Sequence, residues 1–254
     1  MRSILKYILL SAIRDRLYIG LFITLAASFS LAIFLGSSAL VERQEMTASF
    51  IAGSSRVVLA IGMILFVCLN INRAFENKEV EFIISKSISR EKFIFGYLAG
   101  FILATLFIFI PLNIAIFLLA KANIFGLFIW SLSLFLELII LISFSLLSSL
   151  ILKNSFSAIM ASFGFYIISR MMGVFVLAIS IPDSIDALNK NNILQVVLKF
   201  MSAIFPRLDL FAQSKWLNYG FDNMLVLQII LTQSAIYIAL MLFMAFHDFK
   251  KKQF

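Results

Sequence analysis

Six apolar runs of roughly twenty residues or more divide this chain, at about 17–40, 50–71, 93–120, 124–152, 156–181 and 224–246. Each is long enough to cross a ~30 Å hydrocarbon core as a helix. Inside lipid no water satisfies the backbone, so a run of this kind closes its own hydrogen bonds helically. Composition agrees: 62% of the 254 residues are hydrophobic and only 13% are charged, about half the charge of an ordinary soluble domain. The expected fold is all-α, a polytopic membrane protein of six transmembrane helices. The sixteen residues before the first run are followed by too long an apolar stretch for a cleaved signal sequence, so the first run is read as a retained span. With no repeat, low-complexity segment or linker, residues 1–254 are read as one transmembrane domain.

Six crossings place both termini on one side, and the basic residues choose which. With the N-terminus inside, the inner segments hold Arg2, Lys6, Arg14, Arg16, Arg73, Lys78, Lys86, Arg90, Lys92, Lys153, Lys250, Lys251 and Lys252. The outer segments hold Arg43, Lys121, Lys190, Lys199, Arg207 and Lys215, so the count is thirteen against six. Basic flanks stay cytoplasmic. Both termini are therefore expected in the cytoplasm and the chain in the cell's inner (cytoplasmic) membrane. The same bias accounts for the net charge of +8 without nucleic acid as a partner.

Two amphipathic stretches lie outside the spans. Ile4, Leu5, Ile8, Leu9, Ala12 and Ile13 share one helical face, as in a helix lying in the membrane interface. In the long outer loop before the last span, Ile193, Val196, Val197, Phe200, Met201 and Ile204 recur at helical spacing. Pro206 is placed to end that helix, and Trp216 with Tyr219 would sit at headgroup level.

One cysteine, Cys68, and one histidine, His247, leave no material for an internal disulfide, a cysteine cluster or a histidine-based metal site. No metal ligands and no catalytic group are assigned. Ionisable groups within spans are costly, and two stand near mid-span. Glu137 lies 16.5 positions before the Lys153–Asn154 turn and Arg170 lies 16.5 after it. An antiparallel hairpin would bring them to one depth, as an ion pair or a shared polar network. That pair would either lock the two helices together or serve a gate or substrate contact. Arg56, near the outer end of its span, has room to snorkel outward. Asn70 and Asn72 are placed to satisfy helix-end backbone, and Pro111 with Asn113 to bend the third span.

The densest polar stretch lies between the second and third spans, where eight charges fall within the seventeen residues 76–92. As a helix, Val80, Ile83, Ile84 and Ile88 form a narrow apolar stripe, with Glu79, Glu81, Lys86 and Arg90 off it. Phe82 points to the polar side, as a stray surface group or as a knob for another protein's pocket. An ordinary loop of solvated charge pairs is the alternative.

The order of residues in ENKEVEFIISKSISREKFIFG resembles the segment between the second and third spans of ABC-2-type transporter permeases. There an acidic residue precedes a Gly-Thr pair, a leucine-rich turn, Pro-Val-Ser-Arg and a Gly-Lys that opens the next span. Glu76, Glu81, Ile84, Ile88, Ser89, Arg90 and Gly96 match in order. Lys78-Glu79 stands where the family has Gly-Thr, Ser87 where it has proline and Tyr97 where it has lysine. The basic amphipathic N-terminal helix, the six spans and the short outer helices before the last one also resemble that family.

The resemblance implies a cytoplasmic coupling helix carrying Glu76, Glu79, Glu81, Phe82, Lys86, Ser89 and Arg90, docked on a separate ATPase subunit. The chain has no GxxxxGK[ST] phosphate loop, so ATP and Mg would belong to that partner and this chain would carry no cofactor. A second permease copy, identical or related, would complete the pathway for an amphipathic or lipid-like solute. Two other readings stand beside it: a non-transporting membrane scaffold, and a polytopic membrane enzyme, for which Glu76, Glu79 and Glu81 lack any neighbouring histidine.

Overall fold

Each apolar run forms one long helix. The computed structural model describes residues 2–38, 42–78, 80, 89–120, 123–152, 154–180, 200–201, 204–221 and 223–251. In chain order these form α1 (Arg2–Arg14), α2 (Arg16–Ser37), α3 (Arg43–Glu76), α4 (Arg90–Ala120), α5 (Ile124–Ile151) and α6 (Ser155–Ser180). A 3-10 turn (Leu208–Leu210), α7 (Lys215–Tyr219) and α8 (Met224–Lys251) follow. Among the described residues all regular structure is helical, and six helices are long and apolar enough to cross a membrane. Several overrun the apolar stretches that mark them. α3 begins at Arg43 rather than 50 and ends at Glu76 rather than 71, and α8 continues to Lys251. Composition reports where hydrocarbon ends, whereas the hydrogen-bond ladder continues as long as its residues find water or partners.

The helix ends gather at two poles. At one pole Asp15, which caps α2 by accepting from the Leu17 amide at 3.1 Å, pairs with Arg73 near the end of α3 at 2.9 Å. Lys250 near the end of α8 lies 3.3 Å from Glu91 at the start of α4. At the other pole Arg43 donates to the Ser37 carbonyl at 2.7 Å, and the Asn123 amide donates to the Leu217 carbonyl at 3.1 Å. The N-terminal helix and the last turn of α8 thus share one pole, as an even number of crossings requires.

α1 lies against α4. Ile8 and Ala12 are buried, and Leu5 and Leu9 half-buried, while Ile13 faces out. The approach is close because α4 offers a glycine: a Cβ at Gly100 would fall 2.5 Å from Ile8 Cδ1. Asn70 Nδ2 donates to Ser11 Oγ at 2.9 Å, tying α1 to α3 as well. Asn72 turns instead to its own helix, donating to the Cys68 carbonyl at 2.8 Å.

α5 is the hub, touching α3, α4, α6, α7 and α8. Where α3, α5 and α6 meet, the side chains are small. Ser148 and Ser162 share a 2.9 Å hydrogen bond, and Cys68 Sγ lies 3.8 Å from Ser162 Oγ. Small residues let helices approach in lipid, where burial of apolar surface alone gives no preference for protein over acyl chain. The Phe144 and Phe165 rings stack at 4.1 Å beside them. α4 continues through Pro111, and Asn113 bridges outward: it donates to the Phe109 carbonyl at 2.8 Å and accepts from Ser131 of α5.

Candidate functional site

Two polar constructions stand out against this apolar framework. The first is at the N-terminal pole. Ser89 precedes α4 and caps it, its carbonyl accepting from the Phe93 amide at 3.1 Å and its hydroxyl lying 3.4 Å from the Lys92 amide. Arg90 begins α4 and reaches across to the last turn of α8. Its Nη1 donates to the Phe249 carbonyl at 2.8 Å and to the Lys250 carbonyl at 2.7 Å. Both carbonyls lie in the last described turn of α8, and the dipole at a helix C-terminus favours a cation. Phe93 stacks on Phe249 with centroids 5.3 Å apart, so the contact is apolar below and charged above. The junction after the charged stretch is therefore fastened to the last span.

On the other side of that stretch, α3 ends at Glu76, which is exposed, and Lys78 adopts a left-handed conformation at φ 56. Val80, the first residue of the expected apolar stripe, is buried. Glu79, Glu81, Phe82 and Lys86 lie outside the described residues. Of the expected coupling group, Glu76, Ser89 and Arg90 are placed, and Arg90 is committed to α8 instead of lying free on a polar face.

The second construction lies within the bundle. Glu137 is fully buried near the middle of α5, and neither of its carboxylate oxygens has a hydrogen-bond partner. Arg170 and Arg56 are the cations that act on it electrostatically, and among the described residues neither forms an ion pair or hydrogen bond with it. Arg170 donates through Nη1 to the backbone carbonyls of Leu208 and Phe211, the latter at 3.3 Å. Of the two expected forms, a direct ion pair or a shared polar network, the direct Glu137–Arg170 pair is absent among the described residues, and Arg170 bonds the Leu208–Phe211 backbone. Arg56 donates to the Ala212 carbonyl at 3.0 Å, where Trp130 Nε1 also donates at 3.2 Å.

The segment so held, Leu208–Ala212, is a piece of irregular backbone inside a helical bundle. Leu208, Phe211 and Ala212 are buried. Ala212 has φ 45, a left-handed conformation that costs a side-chain-bearing residue about 1 kcal/mol. Its amide is satisfied by Ser133 Oγ at 2.9 Å. Arg170 lies fifteen residues into α6, about 22 Å along its axis, so the segment reaches well below that helix's far end. Non-helical backbone at such depth is tolerated only when protein groups satisfy it, and Arg56, Trp130, Ser133 and Arg170 do so. Room comes from Gly173, where a Cβ would sit 2.5 Å from Asp209 Oδ2. Arg207 holds that carboxylate at 2.9 Å.

Trp130, Ser133 and the backbone of Ala212 were not singled out from sequence, although one signal was available. Two arginines in spans need acceptors, and neighbouring helices have already used their own carbonyls. Carbonyls outside a helical ladder, in a non-helical segment or at a helix end, are the ones left to accept. Of the two aromatics before the last span, Trp216 is buried, edge-on to Phe221 at 5.1 Å, while Tyr219 is exposed. Of the amphipathic stretch 193–204, only Phe200, Met201 and Ile204 are among the described residues. Among the described residues no three of His, Cys, Asp and Glu group together in a way that would hold a metal ion. The chain matches no known family and no curated protein.

Proposed function

We propose that this chain is the permease subunit of an ABC-2-type transporter, moving an amphipathic or lipid-like solute at the expense of ATP hydrolysed by a separate ATPase subunit. The N-terminal pole faces the cytoplasm of a cell with its inner membrane as host, and a second permease copy, identical or related, completes the pathway. The observation that carries the reading is Arg90 bridging to the carbonyls of Phe249 and Lys250. Any force applied to the charged stretch between α3 and α4 passes into the last span through that bridge and into α4 directly. A docking segment for a motor subunit requires such a linkage. Support also comes from the clustering of α1, the α3–α4 junction and the end of α8 at the pole richer in Lys and Arg.

The test is affinity purification of the tagged chain from its native membranes in a mild detergent. A co-purifying subunit with a nucleotide-binding phosphate loop, lost on Phe82→Asp while the chain still inserts, is the expected result. Recovery of the chain with no such subunit, or unchanged recovery with Phe82→Asp, would overturn the reading.

A further inference from the structure

A groove of about 1080 Å³ lies at the N-terminal pole between α1, α2 and α3, apart from both constructions described above. Its deep wall is apolar, formed by Leu17, Leu21, Val58, Ile61 and Leu65. Its charged lining comes from Arg14, Asp15, Arg16 and Arg73. Arg73 is spoken for by Asp15 at 2.9 Å. The Arg14 and Arg16 side chains are exposed, and among the described residues neither guanidinium forms a hydrogen bond or ion pair. Gly20 faces the open space of the groove: a Cβ built there meets nothing within 4 Å.

We infer that this groove seats a membrane phospholipid with an anionic headgroup, its phosphate on Arg14 and Arg16 and an acyl chain along the Gly20 face. Three features select that occupant. The hollow is flanked by Ile19 and Ile23, large apolar side chains that are mostly exposed and face hydrocarbon in a spanning helix. A soluble anion has no use for an apolar wall, and an apolar peptide has no use for two unpaired cations. The arginines also fall where α1 meets α2, the level at which an interfacial helix holds its basic residues against headgroups. The inference requires only that the helices span a membrane and is independent of the transport reading.

The test uses the purified chain in detergent with defined lipids, phosphatidylglycerol as the anionic probe and phosphatidylcholine as the neutral one, read by native mass spectrometry and by thermal unfolding. Wild type is expected to retain phosphatidylglycerol in preference to phosphatidylcholine and to unfold at a higher temperature with it. Arg14→Gln with Arg16→Gln should weaken that retention by about tenfold or more, as expected from losing two basic contacts to an anionic surface. Gly20→Leu should weaken it too, by filling the hollow, while unfolding in phosphatidylcholine stays at the wild-type temperature. Equal retention of the two lipids by wild type would overturn the inference. So would loss in the arginine variant with none in Gly20→Leu, which would leave a surface charge effect without a seat. Equal stabilisation by inorganic phosphate alone would assign the arginines to a soluble anion and overturn it as well.

Discussion

The guanidinium of Arg56 donates to the backbone carbonyl of Ala212 at 3.0 Å, across 156 residues of chain. Arg170 does the same for Leu208 and Phe211. Two cations that are expensive in a span are thus used as donors for backbone that would be equally expensive there without them. Neither cost is removed by the other side of the bundle, so the segment and the arginines stand or fall together.

Removing one partner should show this. Arg170→Met takes the arginine donor from the Phe211 carbonyl, while the Leu208 carbonyl keeps the Phe211 amide at 3.1 Å, and is expected to cost about 1–3 kcal/mol of stability. Arg170→Lys should recover only part, because a compact ammonium does not reproduce the planar fork of guanidinium donors. Thermal unfolding of the purified chain checks the order wild type, Lys, Met. A methionine variant as stable as wild type would show that the carbonyl contacts contribute nothing.

Glu137 should behave differently. Among the described residues its oxygens have no hydrogen-bond partner to lose, so Glu137→Gln breaks no existing bond and keeps the shape of the side chain, at the cost of burying an amide group. Its destabilisation is expected to be smaller than that of Arg170→Met, within about 1 kcal/mol of wild type. Unfolding the two variants side by side decides it. A larger loss for Glu137→Gln would mean that its charge, acting at a distance on Arg56 and Arg170, holds the bundle.

Arg90 joins the α3–α4 junction to α8, and Arg90→Gln is expected to loosen the last turn of α8 locally. Two charge-assisted bonds to carbonyls are at stake, each worth ~1.5–3 kcal/mol where well shielded and less here, because one of them is solvent-exposed. Hydrogen exchange at the final turn of α8 should accelerate while exchange in α5 stays slow. If the transport reading holds, nucleotide-driven activity should fall even where the chain still binds its ATPase. Unchanged exchange would remove the mechanical link.

Tyr219 offers a pH test at the opposite pole. Its hydroxyl donates to Glu45 Oε2 at 2.6 Å, and that bond together with the carboxylate's charge holds the phenol's pKa above its usual value. A raised folded pKa on an acid means the contact contributes below the unfolded pKa and is lost as pH rises through the folded one. Tyrosinate absorbance, taken as wild type minus Tyr219→Phe, should therefore develop at higher pH than the same difference measured in a Glu45→Gln background. Coincident curves would show that the bond is absent in solution.

The number of crossings, the sharing of one pole by the two ends, and the amphipathic face of α1 were legible in the residue order. Hydrocarbon thickness is a length, and a helix converts that length directly into a count of apolar residues. Residues Glu137 and Arg170 were also legible as costly, and their equal distance from the Lys153–Asn154 turn suggested a pair. What residue order did not carry was where Arg170 would spend its donors. Helical carbonyls are already taken by the ladder, so an intramembrane arginine goes to whichever backbone is irregular. The position of Leu208–Ala212 depended on Gly173, Ser133 and Trp130, residues from two other helices whose meeting only the folded bundle defines. Local periodicity determines which segments enter the membrane. Which unsatisfied groups meet there is a property of packing, because acceptors become scarce only once every helix has closed on itself.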